Sequence, residues 1–469
     1  MLKTLLPALL LLGAGAAPEE KLNVLFVAVD DLKPALGCYG DPLAKSPNID
    51  KLAARGTAFT RAYCQQAVCS PSRSSLLTGR RPDSTKVWDL ETHFRTALPD
   101  VVTLPQHFKA KGWHTQAFGK IYHGGFDDPP SWSVPTLAPR KPGVGPEGQA
   151  LVKKLKKGDP DDAKIRGLPF EAPDVADTDL ADGSVADQAI EALRANKDKP
   201  FFLAVGFLKP HLPFVAPKKY WDLWKPAEFQ LADPAPIDGA PKWAPQFGGE
   251  LRQYHEVPRN GALPEELQRS LIHGYYAATA YMDAQLGRVL AELDALGLRE
   301  KTVVVLWGDH GWHLGDHGMW CKHTNYEQAA RAPLIVTAPG RRAATSSALV
   351  EFVDVYPTLA ELCGLPLPEG LEGASFAPLL DDPGRAWKKA AFSQYPRGIA
   401  GTGRCMGYSM RTARHRFVAW EAKGVAEYEL YDLEKDPGET ANLAKKPEHA
   451  ELVKSLLAQL KAGWKEAKP

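Results

Sequence analysis

The sequence predicts an α/β domain in which helices cover a large, mostly parallel sheet, followed by a smaller α+β unit with an antiparallel sheet. Two observations carry this. Short continuous apolar runs alternate with helical segments through most of the chain, and after about Leu380 the texture changes to short strands closed by an amphipathic helix.

The elements follow in order. Asn23–Val29 (NVLFVAV) is apolar throughout and ends in Asp30 and Asp31, as expected for a central strand buried on both faces. Ser46 with Pro47 starts a helix that Gly56 can end, and Thr103, Pro105 and Gly112 frame another. Further strands are expected at residues 113–118, 201–207, 303–307 and 334–337, and a short helix at 71–77. A long helix over residues 264–296 carries Leu286, Val289, Leu290 and Leu293 on one stripe. Residues 417–420 and 428–433 read as antiparallel strands, and Pro447 opens a helix with Leu452, Leu456, Leu460 and Trp464 at helical spacing. Residues 127–173 and 212–264 are rich in Pro, Gly and Lys and far longer than the usual loop of roughly 4 to 6 residues, so they are expected to wall a site.

Composition narrows the partners. Lys+Arg 57 against Asp+Glu 56 leaves a net charge of +1, so no global field favours nucleic acid or an anionic membrane, and anion selectivity has to be local. Residues 1–17 (MLKTLLPALLLLGAGAA) combine Lys3, an apolar run and small residues, the pattern of a secretory leader. No later stretch approaches about 18 apolar residues, so no stable membrane insertion is expected. The mature chain is therefore expected to be exported, periplasmic or secreted. Cys38, Cys64, Cys69, Cys321, Cys363 and Cys405 are too widely spaced for a disulfide scaffold or a CxxC metal knuckle.

Chemistry is first suggested by carboxylates. Asp30 and Asp31 follow one strand, and Asp309 with His310 follows another (VVVLWGDHG); ligands of open α/β sheets bind beyond the carboxyl ends of strands. Either pair alone also reads as a helix cap. Three carboxylates held close, with no obvious buried cation among their sequence neighbours, would repel one another unless a divalent metal lay between them. Cys69 stands at the start of the 71–77 helix, where backbone N–H groups favour an anion, and Arg73 adds a fixed positive charge. A buried structural cysteine is the ordinary reading of such a residue.

The letters around it change that reading. Cys69, Pro71, Ser72, Arg73, Leu77, Thr78 and Gly79 form CxPSRxxxLTG, which resembles the signature of the type I sulfatases, a family in which this cysteine is oxidised to Cα-formylglycine. The resemblance runs from about Asn23 to the C-terminus. It is nearest to the iduronate-2-sulfatase branch, through NVLFVAVDDLKP, QQAVCSPSRSSLLTGRRPD, GKIYH, KPHLPF, GDHGWHLGDHGMWCKHTN and MGYSMRT in that order. It implies an alkaline-phosphatase-like sandwich, with a catalytic unit at 21–380 and a C-terminal unit at 381–469. It implies a metal held by Asp30, Asp31, Asp309, His310 and the formylglycine from Cys69, with Arg73, Lys120, His123, His211 and Lys322 around the sulfate. A formylglycine-generating enzyme is the implied maturation partner and a sulfated saccharide the implied substrate.

Sulfate-ester cleavage needs these residue types. Charge builds on the sulfonyl and departing oxygens, so the site needs a dication, guanidinium and ammonium groups, and a proton donor. A hydrated aldehyde offers one hydroxyl to attack sulfur and a second whose proton loss expels sulfate; a thiol has no second hydroxyl. Taken singly, Lys120, His123, His211 and Lys322 read as surface or capping residues, and only motif order groups them. Trp88, Trp312 and Trp320 are candidates for stacking on a sugar, although most tryptophans pack. Most of the family carries Asn where this chain has His310. Imidazole suits hard Ca²⁺ poorly, which allows a weakly bound or different divalent ion; calcium is still expected first, with Mg²⁺ or Mn²⁺ behind it. A uronate-type substrate would need a further cation, for which Lys209, Arg397, Arg404 and Arg411 are the candidates. The alternatives are a metal-dependent phosphodiesterase or phosphonate monoester hydrolase sharing the metal carboxylates, and a catalytically silent sugar-binding relative.

Overall fold

The computed structural model describes residues 21–158, 161 and 164–469. The leader expected at 1–17 lies outside the described residues. Seven strands form the main sheet: β1 (Asn23–Val29), β2 (Thr57–Tyr63), β3 (His114–Gly119), β4 (Phe201–Phe207), β5 (Thr302–Gly308), β6 (Leu334–Thr337) and β7 (Ala344–Glu351). Their spatial order is β7-β2-β6-β5-β1-β4-β3. Every pairing is parallel except those of β6, which runs against both β5 and β2. Thus β2 and β7 point the same way as β1, β3, β4 and β5, and the sheet is mostly parallel with one reversed strand inside it.

Both faces are covered, which is why β1 is buried at all seven positions. Val24, Phe26 and Ala28 pack on one side with Leu76 and Leu77 of α2 (Cys69–Thr78) and Phe108 of α3 (Leu104–Ala110). Leu25, Val27 and Val29 pack on the other with Val185 and Ala189 of α4 (Ala181–Asn196) and Met282, Leu286 and Val289 of α5 (Glu265–Ala295). The two-residue period of a strand thus divides β1 between two cores. Thr103 caps α3 in a reciprocal capping box with Gln106. The first helix, α1 (Pro47–Ala53), starts where expected, but the Ser46 hydroxyl does not cap it; Asp283 of α5 accepts from Asn48 N and Ile49 N instead.

Beyond the main sheet, β8 (Ala390–Ile399), β9 (Gly403–Thr412), β10 (His415–Ala422) and β11 (Val425–Asp432) form an antiparallel meander. The helix α6 (Ala450–Ala462) sets Leu456 against Met410, Phe417 and Leu430, with Leu452 and Leu460 beside it. Trp464 lies past the helix end, with the Arg81 guanidinium 5.0 Å from its ring. No helix among the described residues is long and apolar enough to cross a membrane, and all six cysteines are free.

Candidate active site

Four adjacent parallel strands, β5, β1, β4 and β3, end along one edge of the sheet, with Val29 level with Gly308 and Phe207, and Gly119 level with Gly206. Their next residues supply Asp309 and His310, then Asp30 and Asp31, then His211, then Lys120 and His123. β2 ends at the same edge and leads into α2, which brings Cys69 and, one turn later, Arg73 to the same point. Gly119 makes the turn possible: its φ is +68°, and a Cβ there would lie 2.1 Å from Gly206 O. Asp31 adopts a left-handed φ of 59° without being glycine, a strain of the kind found at functional sites. Its N–H donates to Asp309 Oδ1 at 3.0 Å, and its carbonyl accepts from Tyr275 Oη at 2.8 Å.

The Cys69 sulfur is buried, 3.4 Å from His310 Nε2 and 3.9 Å from Asp31 Oδ1. His310 Nδ1 meets the Gly311 carbonyl at 2.9 Å, which fixes its proton there and turns Nε2 toward Asp31 (3.3 Å) and Asp309 (3.6 Å). Asp30, Asp31 and Asp309 have carboxylate oxygens within 4.8 Å of one another, as do ligand atoms of Asp31, Cys69 and His310. Buried carboxylates with an oriented imidazole fit a divalent ion, so this cluster is a possible metal site.

The charge argument from sequence does not hold. Arg73 lies between two of the carboxylates, with Nε 2.9 Å from Asp309 Oδ2 and Nη2 3.0 Å from Asp30 Oδ1. Lys120 Nζ reaches Asp30 at 2.5 Å, and Lys322 Nζ reaches both oxygens of Asp31 at 2.9 Å. Two buried cations, Arg73 and Lys322, and the partly buried Lys120 therefore answer three carboxylates, and the case for a metal rests on donor geometry. Burial opposes charge on Asp30, but Lys120, His211, Arg73 and Lys322 hold it well below the usual carboxylate range. Burial pushes Asp31 up to about 6 against His211 and Lys322. Arg73 also donates from Nη1 to the carbonyls of Lys120 and Ile121, so each guanidinium nitrogen is spent on protein acceptors. It frames the carboxylates from beneath instead of reaching the cavity.

Above this floor lies a cavity of about 740 Å³, lined by Cys69, Lys120, His123, His211 and Lys322 together with Arg166, Glu250 and His323. Arg166 and Glu250 come from the two long segments expected to wall a site. Neither was singled out in the sequence, and the unusual length of those segments was the only signal. His211 Nδ1 meets the Leu212 carbonyl at 2.6 Å, and Nε2 faces Glu250 (3.3 Å) and Asp31 (3.8 Å). Burial, then the charge of Lys120, pushes His123 down to about 4.

Several expectations fail here. Trp312 and Trp320 are 1% and 3% exposed and pack internally, so they offer no sugar platform; Trp88 is half-buried with Arg404 over its ring at 4.8 Å. The Lys209 ammonium is committed to the carbonyls of His211 and Pro213, Arg411 to Glu327 and Thr412 O, and Arg397 to the carbonyls of Trp243, Ala244 and His323. Of the four cations named for a uronate, only Arg404 keeps an exposed guanidinium.

Comparison with known proteins adds lineage. The Sulfatase family model matches residues 22–365, and a model described as N-sulphoglucosamine sulphohydrolase, C-terminal, matches residues 315–466. The chain is 34% identical to iduronate 2-sulfatase of Mus musculus, with 94% of each chain covered. Among solved structures, BT4656 in complex with D-glucosamine-2-N,6-O-disulfate superposes with a TM-score of 0.76 at 22% identity, covering 96% of this chain and 99% of that one. The phosphonate monoester hydrolase of Agrobacterium radiobacter superposes with a TM-score of 0.74 at 24% identity, covering 94% and 95%. At those identities the structures establish an alkaline-phosphatase-like fold and nothing finer. The family model and the 34% identity over almost the whole length decide lineage: this chain belongs to the sulfatase family and is a sulfuric ester hydrolase.

Proposed function

We propose that the enzyme is exported and removes sulfate from a sulfated saccharide, as an iduronate-2-sulfatase-like exo-sulfatase, with Cys69 converted to formylglycine. The observation that carries the reading is that Cys69, Lys120 and Lys322 line one cavity while three carboxylates and His310 gather around Cys69 beneath it. Asp30, Asp31, Asp309 and His310 would hold the divalent ion, calcium first and magnesium or manganese otherwise. The ion supplies positive charge beside the nucleophile and the sulfonyl oxygens, and the hydrated formylglycine supplies the nucleophilic oxygen and the second hydroxyl.

The chain's own groups do the rest. Lys120 and Lys322 present ammonium groups at the cavity floor, where they oppose the charge that grows on the sulfonyl oxygens. His211 keeps its Nδ1 proton on the Leu212 carbonyl, so a proton reaches the departing oxygen from Nε2 only in the imidazolium form, which burial opposes and Asp31, Asp30 and Glu250 favour. Arg73 holds Asp30 and Asp309 in place. Arg166, half exposed at the cavity wall, is the cation placed to read a second anionic group such as a uronate carboxylate.

The test has two arms. Peptide mass spectrometry of protein made together with a formylglycine-generating enzyme should show the Cys69 peptide lighter by the change from thiol to aldehyde, and Cys69→Ala should fold yet be inactive. Turnover is then compared on 2-O-, 4-O- and 6-O-sulfated saccharides, an aryl sulfate and the matching phosphate and phosphonate esters. Full activity with unmodified Cys69 refutes the nucleophile; preference for phosphonates, or for neutral sulfated galactans, refutes the substrate class.

A further inference from the structure

Glu250 is a carboxylate inside a cavity that has to receive a sulfate ester. It comes from the segment between Phe214–Val215 and α5, just before the turn Leu251–Gln253, and its side chain is 12% exposed. Oε2 lies 3.1 Å from Lys322 Nζ; Oε1 lies 3.3 Å from His211 Nε2 and 3.2 Å from Arg166 Nη1. A negative charge there repels an incoming anion, so its presence works against ground-state binding of sulfate. Its use must lie in what it does to the cations.

Two of those cations have a competing attraction. Lys322 Nζ is shared between Asp31, at 2.9 Å, and Glu250, and sits 4.9 Å from the Trp312 ring. The His211 ring is pinned at Nδ1 by Leu212 O, and the carboxylates within 4 Å of its Nε2 edge among the described residues are Glu250 and Asp31. Take Glu250 away and only the inner carboxylates, Asp31 in contact and Asp30 behind it, are left to act on both groups. They would draw the ammonium and the imidazole edge down onto the floor, away from the space in which the ester's departing oxygen must lie.

We infer that Glu250 is a positioning residue, an outer carboxylate that opposes Asp31 and holds Lys322 and His211 toward the scissile bond at some cost in sulfate affinity. This rests on the reading that those two groups face the ester, and it does not depend on which saccharide is the natural substrate.

The two effects have opposite signs, which makes the test sharp. Formylglycine-bearing wild type, Glu250→Gln, Glu250→Ala and Glu250→Asp are compared by kcat on an aryl sulfate and by calorimetric binding of inorganic sulfate. A displacement of about 1 Å at a catalytic group costs on the order of 100-fold, so kcat should fall by about that factor in Glu250→Ala. Loss of a nearby negative charge should tighten sulfate binding about fivefold or more in both Glu250→Gln and Glu250→Ala. Glu250→Asp, which keeps the charge, should recover much of kcat and return sulfate affinity toward wild type. The inference is overturned if kcat stays within threefold of wild type in Glu250→Ala, or if kcat and sulfate affinity fall together, the mark of a collapsed loop. A wild type that neither binds sulfate nor cleaves the aryl ester would instead sink the proposed function.

Discussion

Replacing Arg73 by Met should destabilise the fold before it says anything about catalysis. The side chain is fully buried, with ion pairs of 2.9 Å to Asp309 and 3.0 Å to Asp30 and two further bonds to the carbonyls of Lys120 and Ile121. Breaking a buried, hydrogen-bonded ion pair by removing one partner costs about 3–5 kcal/mol, because the other charge is left uncompensated. The orphaned carbonyls add about 1 kcal/mol. Lys120 still answers Asp30, so the net loss should be about 4 kcal/mol. Urea unfolding in the presence of a chelator measures it. Because the damage is mostly stranded charge, Arg73→Met combined with Asp309→Asn should regain about 2 kcal/mol over the single variant. A loss below about 1 kcal/mol in the single variant, or strictly additive losses in the double one, would show that Arg73 does not hold the carboxylates.

Two further outcomes follow from groups around the cavity. Burial, then the charge of Lys120, lowers His123 to about 4, so its ring protons should show no NMR titration between about pH 8 and 5.5. A depressed imidazole means the unfolded chain takes up its proton first on acidification. Stability contributed by the neutral ring is therefore complete above about 6.5 and lost as pH falls toward 4, and His123→Gln should flatten that limb; an inflection near pH 6.5 contradicts this. Arg166→Ala should raise KM about tenfold on a 2-O-sulfated uronate disaccharide and leave an aryl sulfate unchanged. That is less than a fully desolvated bidentate pair would give, because the guanidinium is 45% exposed; equal effects on both substrates remove Arg166 from recognition.

What was legible in the sequence is what local chemistry dictates. β1, β4 and β5 are apolar because both their faces are covered, and a carboxylate just after such a strand lands at the sheet edge whatever the rest does. The strand β7 (ATSSALVE) was not legible: at the sheet edge it buries little on one side, so its letters carry no apolar run. β2 (TAFTRAY) hides behind Thr60 and Arg61, whose side chains donate to the carbonyls of Ser346 and Ser347 of β7. The α4 helix is built largely from small residues that fit close against α5 and the sheet, and small residues make a weak stripe. Glu250 and Arg166 arrive on irregular chain, where no period says which way a side chain points. The motifs name Arg73, Lys120 and Lys322 around the sulfate, but their pairing with the carboxylates was not legible, since the three converge from distant segments.

The charge balance of the assembled site gives the last prediction. Asp30, Asp31, Asp309 and Glu250 contribute four negative charges, and Arg73, Lys120, Lys322 and Arg166 contribute four positive ones. Burial opposes charge on His310, but Asp309, Cys69 and Asp31 push it up to about 9, so without an ion the chain's own groups sum to +1. A mostly buried site of +1 leaves a dianion under-compensated, and desolvating sulfate there is unfavourable. A divalent ion held by the carboxylates, with His310 giving up its proton to become a ligand, makes the sum +2, which matches both the released sulfate and the dianionic character of the transition state. Sulfate binding should therefore depend on the ion. Calorimetry on the Cys69→Ala protein, which cannot turn over, should show affinity for inorganic sulfate weakened by at least about tenfold in excess chelator and restored by added calcium. Asp309→Asn should remove that calcium response, while His310→Asn, which exchanges an imidazole for an amide oxygen, should keep or strengthen it. Equal sulfate affinity with and without the ion would mean that the cations alone hold the anion, and the carboxylate cluster would then have to be read as their structural counter-charge.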